Sequence, residues 1–426
     1  MAGTVRGGLS RRGLISSVGA GAALAGGLTA AFVGDAASSG NASAVDDLSY
    51  PFEGAHQAGI VTPAQDRLHF AAFDLDPRAT GDDLIALLRD WTDAARRLCA
   101  GSGAGPVGPL SGSYDAPPDD TGEAIGLPPS GLTITFGFGP SLFTDADGVD
   151  RFGLAARQPD ALRPLPHFPA DKLNHLASDG DLCIQACAQD PQVAVHAIRN
   201  LTRIAMGRAA IRWSQLGFGR TSSTAAAHVT PRNLFGFKDG TMSLRAEETP
   251  AIDEHVWVRP GEAKASWLVG GSYLVARKIH MIVETWDRSS LREQERIIGR
   301  TKAEGAPLSG GKEFDQPDFA LPGRGGQPLV DPTSHVALAH PTHNSGVRML
   351  RRGYNFVDGN DALGRLLAGL FFIAFVTDPR THYIPLQTKL SQQDLLSEYL
   401  QHIGSGLFAV PPGVGPGEFV GQALFA

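Results

Sequence analysis

The sequence predicts an α+β fold made of two halves, each an antiparallel sheet covered by helices on one side. Three observations predict it. Short runs that alternate with period two interleave with amphipathic helical stretches along the chain. The theme repeats after a connection rich in Gly, Ser, Thr and Ala at Gly217–Thr230. At 426 residues the chain is also too long for one core of ordinary size, which favours two domains or one duplicated unit. Several strands have hairpin-like neighbours, an order that two ferredoxin-like domains fit.

The chain opens with an address. Arg11 and Arg12 follow Ser10, and about twenty weakly apolar residues rich in Gly and Ala come next. The pattern is that of a twin-arginine export signal over residues 1–44, with Ala42–Ala44 as a small-residue cleavage site. Its Gly and Ala content makes a poor transmembrane helix, so no integral membrane domain is expected once it is removed. The expected location is extracellular or periplasmic.

The first domain then spans residues 45–230. "RLHFAAFDL" (Arg67–Leu75) is a strand by length and apolarity, and the next stretch, Asp82 to Cys99, repeats Leu84, Leu87, Leu88, Trp91, Ala95 and Leu98 at helical spacing. "GLTITFGFG" alternates as a strand through Leu132, Ile134, Phe136 and Phe138, and "DLCIQACAQD" is another. A helix follows from Pro191 to about Met206, with proline in its first turn, and "AAIRWSQLGFG" is the closing strand.

The second domain, residues 231–426, carries the GxxDG segment at its junction with the first. In "SYLVARKIHMIVETW" one face collects Tyr273, Val275, Ile279, Met281 and Val283, with Arg277 the exception. Ser290 and Glu293 then have capping-box spacing. Strands are expected at "SHVALAH", "RMLRRGYNF" and "GLFFIAFVTD", and a last helix at "LSQQDLLSEYLQHIG". The Gly- and Pro-rich stretch Gly305–Pro332 is a long loop, of the length that is usually functional or mobile.

Composition narrows the partners. With 42% hydrophobic and 19% charged residues and a formal charge of -7, the chain is globular and unsuited to nucleic acid or a polybasic membrane contact. A small or neutral partner fits better. Of the three cysteines, Cys99, Cys183 and Cys187, the last two share one strand face and read as packed thiols rather than a disulfide or metal pair.

"NLFGFKDGTMS" (Asn233–Ser243) puts an acid, Asp239, just before a glycine and close behind two phenylalanines. Gly236 and Gly240 let the backbone take a positive φ or approach a flat ligand, and Phe235 and Phe237 supply apolar surface. An ordinary β-turn accounts for the same residues. His335, after the long loop, could ligate a metal from a pocket wall or be a satisfied core histidine. His340 and His343 flank a turn around Pro341, and no second ligand is arranged for a zinc site. Arg351 and Arg352 are strand neighbours that face opposite ways; an inward one needs an anion, either Asp239 or a cofactor carboxylate.

These residues carry a resemblance. The chain resembles the DyP-type (dye-decolourising) haem peroxidases, in the exported branch that is also similar to bacterial iron-uptake, deferrochelatase-like peroxidases. The motifs are Gly236-Phe237-Lys238-Asp239-Gly240, "VETWDRSSLREQERIIGR", "DPTSHVALAHP" and "MLRRGYNF", in that order. "YPFEGAHQAGIVTPAQDRLHF" and "PPGVGPGEFVGQALF" match the family's usual ends, so the likeness covers essentially the whole chain after the leader.

The resemblance implies a barrel-like pairing of the two ferredoxin-like domains and one haem b per chain. It implies His335 as the proximal, metal-binding ligand, Asp239 as the distal acid and Arg351 as the distal arginine, which in the family follows the apolar pair, here Met349-Leu350. Arg300 becomes a candidate partner for a haem propionate, and Phe235 and Phe237 become dry walls of the haem site. One departure is Ala337, where relatives commonly carry an arginine, so a propionate contact is either missing or supplied from elsewhere.

The implied activity uses hydrogen peroxide to oxidise dyes, phenolics and similar donors through compound I, with Trp286 and Tyr383 as candidates for oxidation at the surface. The alternatives are a haem-handling, iron-uptake protein and a chlorite-dismutase-like enzyme, and the intact GxxDG segment speaks against the second. Homo-oligomerisation is left open.

Overall fold

A computed structural model describes residues 48–261 and 266–426. The export-signal reading of residues 1–44 lies outside the described residues.

The first half runs β1 (Arg67–Leu75), α1 (Gly81–Cys99), β2 (Thr133–Phe138), β3 (Leu182–Ala188), α2 (Pro191–Ala205) and β4 (Ala209–Arg220). Its strands lie in the order β2-β3-β1-β4, all antiparallel. Local sequence explains the helices. Thr80 and Asp83 form a reciprocal capping box at the start of α1, and Asp190 caps α2 ahead of Pro191. The apolar stripe of α1, Leu84 through Leu98, is buried as its spacing predicts.

The second half begins with α3 (Thr249–His255) and β5 (Ser272–Met281), followed by α4 (Val283–Trp286), α5 (Leu291–Ile298) and α6 (His335–Ala339). It continues with β6 (Leu350–Arg351), β7 (Tyr354–Asn360), β8 (Leu366–Val376), α7 (Pro379–His382), α8 (Ile384–Gln393) and β9 (Leu400–Val410). The order β9-β5-β8-β7 repeats the ferredoxin-like arrangement of the first half, with the two-residue β6 added on β8.

Two narrow seams join the halves. Phe138 of β2 pairs with Ala409 of β9, and Phe218 and Arg220 of β4 pair with Asn355 and Tyr354 of β7. With them the eight long strands close into a barrel. Alternation then sorts the side chains: on β1, Leu68, Phe70 and Ala72 fill the barrel, whereas Ala71, Phe73 and Leu75 pack under α1 and α2. Cys183 and Cys187 join the barrel filling as free, buried thiols, and Cys99 is likewise free and buried at the C-terminal end of α1. Burial pushes the Cys99 thiol up to about 12.

Two expected elements differ. "SHVALAH" is helical, not extended: Ser334 caps the Ala337 amide, and in five residues Val-Ala-Leu-Ala fits either period. The expected last helix, "LSQQDLLSEYLQHIG", stops at Gln393. Asp394 caps a new 3-10 turn over Leu395–Tyr399, and from Leu400 the chain pairs with β5, a tertiary pairing that overrides the local helical pattern. No helix among the described residues is long and apolar enough to cross a membrane.

Candidate active site

Outside the barrel, the strands of the second half and its helices enclose a cavity of about 1610 Å³, its open mouth included. Ile279 and Met281 from β5, Leu370 and Phe372 from β8, and Leu400 and His402 from β9 form one wall. Ile298, Val336, Leu386 and Leu390, from α5, α6 and α8, contribute the helical side.

The Asn233–Ser243 segment is a turn, as Gly236 N–H donates to the Asn233 carbonyl at 2.9 Å, and this turn also carries its acid into the cavity. Both glycines hold positive φ, +82° at Gly236 and +86° at Gly240, and a Cβ on Gly240 would sit 2.9 Å from Ser222 Cα. Asp239 emerges between them. Its Oδ1 accepts from Arg351 Nη1 at 2.8 Å, and its Oδ2 accepts from Asn233 Nδ2 at 3.3 Å. Ser243 Oγ accepts from the Arg351 amide at 3.0 Å, which ties the turn to β6. On the outer side Lys238 is paired with Glu313 of the long loop, and Thr241 donates to the same carboxylate. Burial alone would raise the Glu313 carboxyl, but hydrogen bonds from Lys238 and Thr230 outweigh it and hold it below the usual range.

His335 opens α6 and lines the same cavity. Its Nδ1 lies 2.6 Å from Asp394 Oδ2, and the other oxygen of Asp394 accepts from the Leu396 amide at 2.8 Å. Burial on its own pushes the imidazole down, yet the charge of Asp394, helped by that of Asp239, leaves it above its ordinary value. An Nδ1–H committed to a carboxylate leaves Nε2 with its lone pair, the form that binds a metal. Sequence reasoning missed Asp394. Its only signal was a helix-breaking cap in "SQQDLL", which says nothing of a histidine 59 residues earlier.

The other expectations resolve individually. Arg351 and Arg352 do face opposite ways: Arg352 is fully buried and donates to the carbonyls of Ile60 and Thr62 and to Gln65 Oε1, so only Arg351 lines the cavity. Arg300 is buried on the cavity wall, and its Nη1 donates to the carbonyls of Gly305 and Glu313. Phe235 and Phe237 both line the cavity and pack on Trp286, with ring centroids 4.4 and 6.0 Å away. Trp286 and Tyr383 are buried, so neither is the surface oxidation site expected of it. Ala337 lines a separate hollow behind α6 and is not among the residues that line this cavity.

The family models match both halves in order. The Dyp-type peroxidase N-terminal model covers residues 57–219, and the Dyp-type peroxidase C-terminal model covers residues 230–415. The chain belongs to the DyP-type peroxidase family. A dye-decolorizing peroxidase of Thermobifida fusca (strain YX) is 38% identical over 382 residues, which is 87% of this chain and 84% of the relative. A deferrochelatase of Escherichia coli (strain K12) is 36% identical over 422 residues, 97% of this chain and 96% of its own length. Among solved structures, an oxyferrous/water mixed complex of DtpA from Streptomyces lividans is 41% identical with a TM-score of 0.81, covering 90% of this chain and 99% of that one. A DyP-type peroxidase of Streptomyces coelicolor gives 41% and 0.81, covering 89% and 97%.

Haem, the group this DyP-type architecture implies, fits the residues present. The walls are largely apolar, one imidazole presents a free Nε2, and an acid–arginine pair shares the cavity with it. Among the described residues no cluster of three or more His, Cys, Asp or Glu is placed to hold a bare metal ion. An iron bound by His335 would therefore take its other ligands from a porphyrin.

Proposed function

We propose that this DyP-type peroxidase reduces hydrogen peroxide at the cavity of the second half and draws the electrons from organic donors such as dyes and phenolics, with His335 as the residue that would hold the haem iron. Haem, when bound, supplies an iron centre for peroxide and the redox equivalents that donors later replace. The rest is the work of the chain. Asp394 fixes the Nδ1–H tautomer of His335 and keeps Nε2 basic. Asp239 accepts a proton from the incoming peroxide and returns it to the departing oxygen, which leaves as water. Arg351, paired with Asp239 at 2.8 Å, steadies the negative charge that grows on that oxygen. Phe235 and Phe237 keep water away from the acid.

One observation carries the reading: the Asp239–Arg351 pair and the Asp394-held His335 line a single cavity. Asp239→Ala tests it. The expected variant binds haem with an ordinary spectrum but changes that spectrum at least ~100-fold more slowly when peroxide is added. A wild-type rate would remove Asp239 from the mechanism.

The 36% identity to a deferrochelatase over 97% of this chain supports a second reading, haem handling for iron uptake. Haem incubated with the protein and a reductant, without peroxide, separates the two: iron release from an intact porphyrin favours handling, and peroxide-dependent donor oxidation alone favours the peroxidase. Export through the twin-arginine route remains part of the proposal, on the strength of Arg11 and Arg12. Replacing both by lysine should hold the protein in the cytoplasm, and undiminished export would overturn it.

A further inference from the structure

The long loop Gly305–Pro332 lends one side chain to the turn that carries Asp239. Glu313, 9% exposed, divides its carboxylate between residues on either side of that acid: Oε2 takes the ammonium of Lys238, and Oε1 accepts from Thr241 Oγ1 at 3.3 Å. Thr230 adds a third hydrogen bond to the carboxylate, one residue ahead of Pro231, whose carbonyl accepts the Asp239 amide at 2.9 Å. The loop is itself fixed. The backbone carbonyls of Gly305 and Glu313 both accept from Arg300 Nη1, at 2.6 and 2.7 Å, so the carboxylate hangs from the segment that follows α5. Gly305 also lets the Lys238 stem lie across the start of the loop, since a Cβ there would stand 2.9 Å from Lys238 Cδ.

The turn needs such a tie. Gly236 and Gly240 bracket Asp239, and glycine's wide conformational range lets the backbone between them pivot. An acid that takes a proton from peroxide must stand within about 3 Å of it, and a displacement of about 1 Å can cost a hundredfold in rate. On the cavity side, Arg351 and the longer contact from Asn233 aim the carboxylate of Asp239 once its backbone is placed. Glu313 acts on the backbone instead, through residues 238 and 241. An ion pair this buried adds little net stability. What it fixes is the position of its partners.

We propose that Glu313 is a positioning residue for the peroxide step: it clamps Lys238 and Thr241 and through them holds Asp239 where it meets peroxide. The proposal rests on the reading of Asp239 as the proton acceptor. It gives the long loop a part in the reaction although Glu313 itself is not among the residues that line the cavity.

Glu313→Gln keeps the shape but offers one oxygen in place of two, so Lys238 and Thr241 can no longer both be held. Haem-loaded wild type, Glu313→Gln, Asp239→Ala and the double variant are mixed with peroxide, and the spectral change is timed. Glu313→Gln is expected to slow that change roughly tenfold or more in the wild-type background. In the Asp239→Ala background it should add nothing, because no carboxylate is left to position. Equal slowing in both backgrounds would mark a packing effect and overturn the proposal, as would a wild-type rate for Glu313→Gln. An Asp239→Ala protein that reacts at the wild-type rate would instead bring down the role of the acid itself, and the clamp with it. Hydrogen exchange of the full chain, with and without haem, reads the restraint directly: the Asp239 amide, bonded to the Pro231 carbonyl, should exchange severalfold faster in Glu313→Gln while the amides of β1 keep their wild-type rates. An unchanged Asp239 amide would also refute the clamp. Should Glu313→Gln fail to fold, Thr241→Val removes one arm without stranding a charge, and the same slowing, absent from the Asp239→Ala background, is required of it.

Discussion

Replacing Asp394 by asparagine probes the His335 side of the site with little change of shape. The hydrogen bond from His335 Nδ1 is 2.6 Å long, and the Asp394 side chain is 3% exposed, so solvent screens it weakly. A charge-assisted bond in such a place is worth about 1.5–3 kcal/mol. Asparagine Oδ1 would still accept from the Leu396 amide and cap the Leu395–Tyr399 turn, so folding should be nearly unaffected. What changes is the imidazole. Without the carboxylate its Nε2 is less basic, and an amide N–H facing Nδ1 drives the proton to Nε2, where it competes with iron. Haem loss should therefore quicken about 10- to 100-fold. The midpoint potential of bound haem should rise by roughly 60–120 mV, the same energy expressed for one electron. Haem transfer and spectroelectrochemical titration measure the two quantities. If the variant keeps both its haem affinity and its potential, His335 is not the ligand, or Asp394 does not govern it.

The remaining outcomes concern the turn, the arginine pair and acid stability. Gly240→Ala must hold φ near +86° with its Cβ 2.9 Å from Ser222 Cα, so it should cost about 1–3 kcal/mol in urea unfolding and slow the peroxide reaction; a variant of wild-type stability would contradict the strain. Arg352→Met strips donors from the Ile60 and Thr62 carbonyls and from Gln65, and should destabilise by about 3 kcal/mol or more while sparing the peroxide rate per bound haem. Arg351→Leu should do the reverse, slowing the peroxide step ~100-fold at nearly unchanged stability. His382 is held down to about 4, by burial first and then by His255, its hydrogen-bonding neighbour at 3.1 Å. Because its folded value lies below its unfolded one, its contribution is complete above about pH 6.5 and is lost as pH falls towards 4, by at most about 3 kcal/mol. His382→Gln should flatten the stability profile over that interval, and an unaltered profile would discount the histidine.

Local signals carried most of the fold. The stripe of α1 and the alternation of β1, β2 and β3 are properties of neighbouring residues, and each is realised at or within a few residues of the expected bounds. The failures share a cause. At α6, five residues satisfy both periods, and a serine cap decides between them; at β9, the partner strand decides, and it lies more than a hundred residues away. The same holds at the site. Motif residues Asp239, Arg351 and His335 stood out because their types and order are distinctive, whereas Asp394 acts through a hydrogen bond that only the folded chain reveals. Strand alternation alone did not choose between Arg351 and Arg352, and distant carbonyls are what claim Arg352.

The ring of strands also dictates a timetable. Its gap between β2 and β5 is filled by β9, which leaves the ribosome after every other member of the ring and brings Leu400 and His402 to the cavity wall. Until that segment has emerged, a nascent chain has neither a finished cylinder nor a complete enclosure for its pigment. Cofactor loading must then follow translation, and a ribosome stalled before residue 400 should display a polypeptide that cannot retain hemin.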